Sequence, residues 1–212
     1  MNAACQIAPM PVLVRIGPVI AACCADIARH ADRLNRLDGA IGDGDHGTNM
    51  QRGCEALLAE SQRLEALPLA QSLAEAGRIL VMTIGGAAGP LYGTLLMELG
   101  RAMSETSGTD DFPTAFAHAV NAVARRGKSG TGDKTLLDVL FPLSDLLAAD
   151  NKFETTPAKV AALAEMTVAM RARRGRASFL GERSIGHMDP GAASCALLVA
   201  AVCREINGGR RA

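Results

Sequence analysis

The sequence predicts an all-α fold: one domain over residues 1–212, built as a bundle or barrel of eight antiparallel amphipathic helices. Three observations carry that expectation. Hydrophobic residues make up 49% of the chain but aromatics only 3%, with no Trp and one Tyr. The core must therefore come from Ala, Leu, Val and Ile, which suits closely packed helices better than an aromatic-rich β-sandwich. Apolar residues recur at helical spacing almost throughout, and no stretch alternates polar and apolar with period two for long enough to make a strand. At 212 residues the chain can bury one sizeable core and is short for two.

The elements follow in order. Val19, Cys23, Ile27, Leu34 and Leu37 trace one stripe of a first helix ending near residue 37. A second helix is expected over 47–60 and a third over 68–82. Pro90 opens a fourth through Met103, and Pro113 a fifth through Arg126, each placed in a first turn where the missing N–H costs nothing. The sixth covers 135–149, the seventh 157–173, and the eighth starts just after Pro190. Short connections make neighbours antiparallel.

Charge and cysteine usage exclude several classes. Twenty-two basic and 22 acidic side chains cancel, so there is no global basic field for nucleic acid or an anionic membrane. No run approaches the roughly 18 uncharged apolar residues of a membrane span. The N-terminus lacks a basic region ahead of an apolar stretch. These features read as a soluble cytoplasmic protein. Cys5, Cys23, Cys24, Cys54, Cys195 and Cys203 form no CxxC pair and no zinc-ligand spacing; they are expected to pack as small buried thiols.

The unusual residues collect in four connections: LDGAIGDGDHGTNM (37–50), TIGGAAGPLYG (83–93), RRGKSGTGDKT (125–135) and RRGRASFLGERSIGHMDPG (173–191). A loop that only reverses direction needs one Gly and a polar residue or two. These hold many glycines among Asp, Lys, Arg and His, which is how a backbone approaches phosphates closely. Each joins an odd-numbered helix to the next even-numbered one, so all four should meet at one end. Two motif matches there are decoys. GDGDHG (42–47) satisfies GxGxxG, but a polar helix end precedes it where the dinucleotide fingerprint needs a buried strand. AVARRGKS (122–129) fits a relaxed P-loop, yet it too follows a helix and runs into SGTGD, which cannot be a helix interior.

Asp38, Asp43 and Asp45 lie within eight residues in a Gly-rich turn. Carboxylates so close repel one another unless a cation lies between them, and Mg²⁺ takes hard carboxylate oxygens together with substrate phosphates. An EF-hand is excluded, because Gly47 stands where a third oxygen ligand should follow. His46, Gly47, Thr48 and Asn49 then open a helix whose free N–H groups suit a phosphate. Arg173, Arg174, Arg176 and Arg183 are expected near the same end, where a guanidinium can fork onto phosphate oxygens. His46 is expected to orient the carboxylates or a phosphate, and His187 to brace the last loop; His30 and His118 read as ordinary mid-helix residues. Together these residues point to phosphoryl transfer.

IGDGDHGTNM, GGAAGPLYGT, GDKTLLDV and GRASFLGERSIGHMDPGA, in that order and spacing, resemble the nucleotide-binding L subunit, or L domain, of dihydroxyacetone kinases over about residues 15–205. The resemblance implies a barrel of eight antiparallel helices with ADP or ATP bound at one end. It implies two Mg²⁺ ions on Asp38, Asp43 and Asp45. It carries nucleotide contacts onto His46, Gly47, Thr48, Asn49, Ala87, Ala88, Gly127, Leu136, Arg176, Asp189, Pro190 and Gly191, with Arg176 and the three aspartates catalytic. Ala88 stands where the family often has Ser, and Leu136 replaces a common Met, a swap that keeps an apolar wall for adenine.

The implied reaction moves a phosphoryl group from Mg-bound nucleotide to dihydroxyacetone held covalently by a His of a separate K subunit. None of the four His here has a context suggesting that role. ADP rephosphorylated in place by a phosphohistidine protein of the phosphoenolpyruvate phosphotransferase system is one donor, and a stand-alone L chain favours it; exchange with free ATP is the other. A related ketose such as erythrulose, or an ADP-state regulatory module that binds a transcription factor, are the alternatives. A homodimer or hetero-oligomer is expected.

Overall fold

In a computed structural model of the protein, residues 15–105, 112–150 and 156–209 are described; Cys5 lies outside them. The regular elements of these residues are all helical: α1 Ile16–Ile41, α2 His46–Ala59, α3 Ser61–Glu65, α4 Leu69–Thr83, α5 Ala88–Glu105, α6 Phe112–Gly127, α7 Leu137–Asp150, α8 Thr156–Met166 and α9 Pro190–Gly209. Two 3₁₀ segments, Thr167–Ala169 and Arg176–Ser184, lie between α8 and α9. The expected eight helices are present, with the five-residue α3 added as a bend between α2 and α4.

Packing closes these helices into a ring. α1 lies against α2 and α9; α2 packs on α4, α4 on α5, α5 on α6, α6 on α7, α7 on α8, and α8 on α9. The core is aliphatic as composition required: Ile27, Leu34, Val120, Val123, Leu137, Val139 and Val160 are fully buried. Small residues let backbones touch where α4 crosses α5. A Cβ on Gly77 would lie 2.7 Å from the Gly93 carbonyl oxygen, and one on Gly93 the same distance from the Gly77 carbonyl oxygen. Cys24, Cys54, Cys195 and Cys203 are buried free thiols and Cys23 is half-buried, as expected of small packing residues.

Three expectations need correction. The deepest stripe of α1 is Ile16, Ile20, Cys24, Ile27, Ala31 and Leu34, while Val19 and Cys23 sit half-buried on its flank. A helix wedged between α2 and α9 buries a broad face, and the centre of that face is shifted from the predicted line. Second, α1 does not stop near 37. Ile41 is buried and draws the Asp-Gly segment into a last turn, closed by the Gly42 N–H donating to the Asp38 carbonyl at 2.5 Å. Asp38 therefore rides on a helix. Third, the helix expected over 157–173 ends its α-helical part at Met166 and continues only as a 3₁₀ turn, in which the Thr167 carbonyl takes the Met170 N–H, while the Thr167 and Met170 carbonyls also accept from the Lys134 ammonium.

Candidate functional site

The four Gly-rich connections do meet at one end of the barrel. There they enclose a cavity of about 410 Å³, within the range of small-molecule and cofactor sites. Of the residues to which the resemblance carries a metal or nucleotide contact, all line it except Gly47 and Thr48: the wall includes Asp38, Asp43, Asp45, His46, Asn49, Ala87, Ala88, Gly127, Leu136, Arg176, Asp189, Pro190 and Gly191.

Gly47 and Thr48 act behind the wall. Gly47 is buried against α1, and a Cβ there would sit 2.0 Å from the Ala31 carbonyl oxygen. Thr48 is exposed and trades hydrogen bonds with α1: its N–H donates to Asn35 Oδ1, and Asn35 Nδ2 donates to its Oγ1, both at 3.0 Å. Together they seat the start of α2 on α1.

That seating organises the acidic turn. One carboxylate oxygen of Asp38, Oδ2, accepts the N–H groups of Gly44, Asp45 and His46 at 2.8, 2.9 and 3.2 Å, which folds the turn over the end of α1. Ligand oxygens of Asp38, Asp43 and Asp45 consequently lie within 4.8 Å of one another. Asp43 is also ion-paired with Arg176, at the start of the second 3₁₀ segment. Three convergent carboxylates with no nitrogen or sulfur ligand among them fit a hard divalent cation.

The third connection contributes Arg126, Gly127, Ser129, Lys134, Thr135 and the apolar Leu136 to the wall. Leu136 is 5% exposed. Its loop is organised by buried Asp138, whose two oxygens accept the N–H groups of Gly132 at 2.5 Å and Thr135 at 2.8 Å. Between them lies Lys134, only 1% exposed. Its Nζ donates to the carbonyls of Thr167, Met170, Ser184 and His187 at 2.8, 3.0, 2.7 and 2.5 Å. One buried ammonium thus gathers the chain on both sides of Arg176. The bracing expected of His187 comes through its carbonyl; its side chain is exposed. Arg174 lines the cavity and reaches Asp133 at 3.5 Å, whereas Arg173 and Arg183 are not on its wall. His30 and His118 lie away from it, His30 on the Asp26 carbonyl and His118 between Arg101 and Glu98.

Four titratable groups on the cavity wall are displaced from their ordinary ranges, Asp189 and Tyr92 upward and His46 and Lys134 downward, each chiefly by burial. Desolvation pushes the Asp189 carboxyl up to about 7; nearby Asp138 and Asp38 add to the rise, while the Ala192 N–H and Lys134 oppose it. Burial lowers the His46 imidazole, against an upward pull from Asp38 and Asp45, so burial favours the neutral ring.

Sequence reasoning passed over Lys134, Asp138, Tyr92 and Ser194. The first two stand four residues apart in GDKTLLDV, where a Lys in a Gly-rich turn ahead of an apolar helix was the available signal. Tyr92 and Ser194 sit among apolar neighbours and gave none.

The DAK2 domain family matches residues 40–204. The ADP-binding subunit of PEP-dependent dihydroxyacetone kinase 1 of Listeria innocua is 42% identical over 166 residues, 78% of this chain and 82% of that one. The ADP-binding subunit of the Escherichia coli PEP-dependent dihydroxyacetone kinase is 35% identical over 182 residues, 81% and 87% of the two chains. A crystal structure of the C. freundii dihydroxyacetone kinase in complex with AMP-PNP and Mg²⁺ superposes with a TM-score of 0.73 at 23% identity, covering 96% of this chain and 36% of that longer one. The helical ring is thus shared with a solved kinase, and a family match over residues 40–204, with two relatives aligned over about four fifths of this chain, makes it a member of the DAK2 domain family.

Proposed function

We propose that the chain is a single nucleotide-binding domain, the ADP/ATP-binding subunit of a dihydroxyacetone kinase. The observation that carries this is the meeting of Asp38, Asp43, Asp45 and Arg176 on the wall of one cavity that also holds the apolar Leu136. Diphosphate and adenine need those two environments side by side. The names of the two ADP-binding relatives support the same reading.

Asp38, Asp43 and Asp45 would hold Mg²⁺, two ions on the family's pattern, which when bound neutralises phosphate charge and the charge of the phosphoryl group in transfer. Asp38 keeps Oδ1 for that role while Oδ2 holds the turn. Arg176 leaves Asp43 to spread charge over the transferring group, where positioning matters more than covalent chemistry. His46, Asn49 and the start of α2 bind phosphate, with Gly47 and Thr48 seating that helix. Ala87, Ala88 and Gly127 bring backbone to the ligand; Asp189, Pro190 and Gly191 close it from the start of α9.

The acceptor is dihydroxyacetone on a separate K subunit, and ADP is recharged in place by a phosphohistidine protein of the phosphotransferase system, a reading that the PEP-dependent relatives favour. The setting is cytoplasmic; among the described residues no helix is long and apolar enough to cross a membrane. The test is reconstitution. Purified chain should not phosphorylate dihydroxyacetone alone, and should turn over when a K subunit and a phosphorylated phosphohistidine protein are added. Turnover by the single chain would place the ketone site here and overturn the division of labour. Turnover with free ATP but not with the phosphoprotein would overturn the donor.

A further inference from the structure

A hydrogen-bonded chain crosses the barrel behind the acidic turn. Ser194 Oγ, on α9, lies 2.9 Å from His46 Nε2, at the start of α2. Tyr92 OH, on α5, lies 2.7 Å from the same Ser194 Oγ. The Gly191 carbonyl is within 3.2 Å of the phenol and 3.1 Å of the hydroxyl. Tyr92 is 5% exposed and Ser194 fully buried, so bulk water cannot substitute for a missing partner.

The protons in this chain can be assigned. Tyr92 and Ser194 carry one hydroxyl proton each, and a neutral imidazole carries one N–H. Ser194 Oγ has three polar neighbours, Tyr92 OH at 2.7 Å, His46 Nε2 at 2.9 Å and the Gly191 carbonyl at 3.1 Å, and its one proton goes to one of them. A phosphate oxygen facing His46 only accepts, so presenting the ring to it requires the proton on Nδ1, with Ser194 donating to Nε2 and Tyr92 donating to Ser194, each bond polarising the next. Nε2 is then an acceptor, which leaves the ring proton on Nδ1. Among the described residues Nδ1 has no protein partner, and His46 lines the cavity.

Resting on the nucleotide-binding reading above, the geometry points to Tyr92 and Ser194 as positioning residues: they fix the His46 ring and its tautomer so that Nδ1–H is presented to a phosphate oxygen of the bound nucleotide. Ser194 is off the cavity wall and Tyr92 is on it; both act on the nucleotide by holding the His46 ring.

The test uses the intact chain and Mg·ADP. Ring ¹⁵N spectra should show a pyrrole-type Nδ1 and a pyridine-type Nε2 on His46 in the native protein, and a tautomer mixture in Ser194→Ala. The affinity for Mg·ADP should fall about five- to tenfold in Ser194→Ala and about threefold in Tyr92→Phe, the scale of one lost hydrogen bond. In a His46→Ala background, adding Ser194→Ala should change affinity no further, since the two act as one unit. A merely structural role for Ser194 would lower thermal stability, leave affinity unchanged or additive, and leave the tautomer alone; that result overturns the relay. So does a native ring with its proton on Nε2. Failure of the native chain to bind Mg·ADP overturns the functional reading instead, and the tautomer still decides the relay.

Discussion

Lys134 offers the sharpest perturbation of the loop that carries Arg176. Lys134→Met keeps the aliphatic stem and removes the ammonium with its hydrogen bonds to the carbonyls of Thr167, Met170, Ser184 and His187. Three N–H groups serve four acceptors, so about three charge-assisted bonds are lost, each worth roughly 1.5 kcal/mol net at the low end of its range. Two effects offset part of that. Burial already disfavours the charged form, lowering the Lys134 pKa. The Thr167 carbonyl also keeps the Met170 N–H at 3.1 Å, and the exposed His187 segment can be rehydrated. The Ser184 carbonyl, on a fully buried residue, has no such recourse. A net loss of about 3 kcal/mol follows, which for a chain of this size shifts Tm by about 6–12 °C. Scanning calorimetry of native and variant protein reads the shift directly. Loosening 167–187 should also weaken Mg·ADP binding, because Arg176 and Asp189 depend on that segment. A Tm within 2 °C of native, with unchanged nucleotide affinity, would refute the idea that one buried ammonium holds this loop.

Other outcomes follow from the same geometry. Gly47→Ala places a Cβ 2.0 Å from the Ala31 carbonyl oxygen, so α2 must back away from α1; a loss of about 3 kcal/mol in urea unfolding is expected, as for severe overpacking, and an unchanged midpoint would contradict the close approach. Arg176→Gln breaks a solvent-exposed ion pair worth about 0–1 kcal/mol, so Tm should hold while turnover with the K subunit collapses; retained turnover would remove Arg176 from the mechanism. Asp189, pushed up to about 7 from its ordinary 3.8, keeps its proton in the folded chain where the unfolded chain has released it. The ligand-free protein should therefore lose stability as pH rises between those values. Asp189→Asn should remove that slope, and parallel profiles for the two proteins would refute the assignment.

Much of this was legible in the sequence because it is written locally. Helical periodicity with prolines in first turns placed the long helices, and the parity of their Gly-rich connections placed all four loops at one end. The crowding of Asp38, Asp43 and Asp45 within eight residues anticipated the carboxylate cluster that the fold gathers. What escaped depends on distant partners. The Asp-Gly after Leu37 reads as a stop, yet burial of Ile41 carries α1 through it. The segment after Met166 reads as continuing helix, but it passes into a 3₁₀ turn whose carbonyls also accept from Lys134, more than thirty residues earlier in the chain. Gly47 was visible as a glycine, but its reason is a carbonyl of the neighbouring helix. Tyr92 and Ser194 carry no local signal, since their polar atoms meet only when α5, α9 and the start of α2 converge.

The central claim is that nucleotide binds through a cation held by the three aspartates, and isothermal titration of ADP tests it most directly. Native protein should bind ADP with Mg²⁺ present and lose that affinity in EDTA, while Asp43→Asn should fail to bind in Mg²⁺ yet keep the helical circular dichroism of the native fold. Equal ADP affinity with Mg²⁺ and with EDTA, or unimpaired binding by Asp43→Asn, would contradict it.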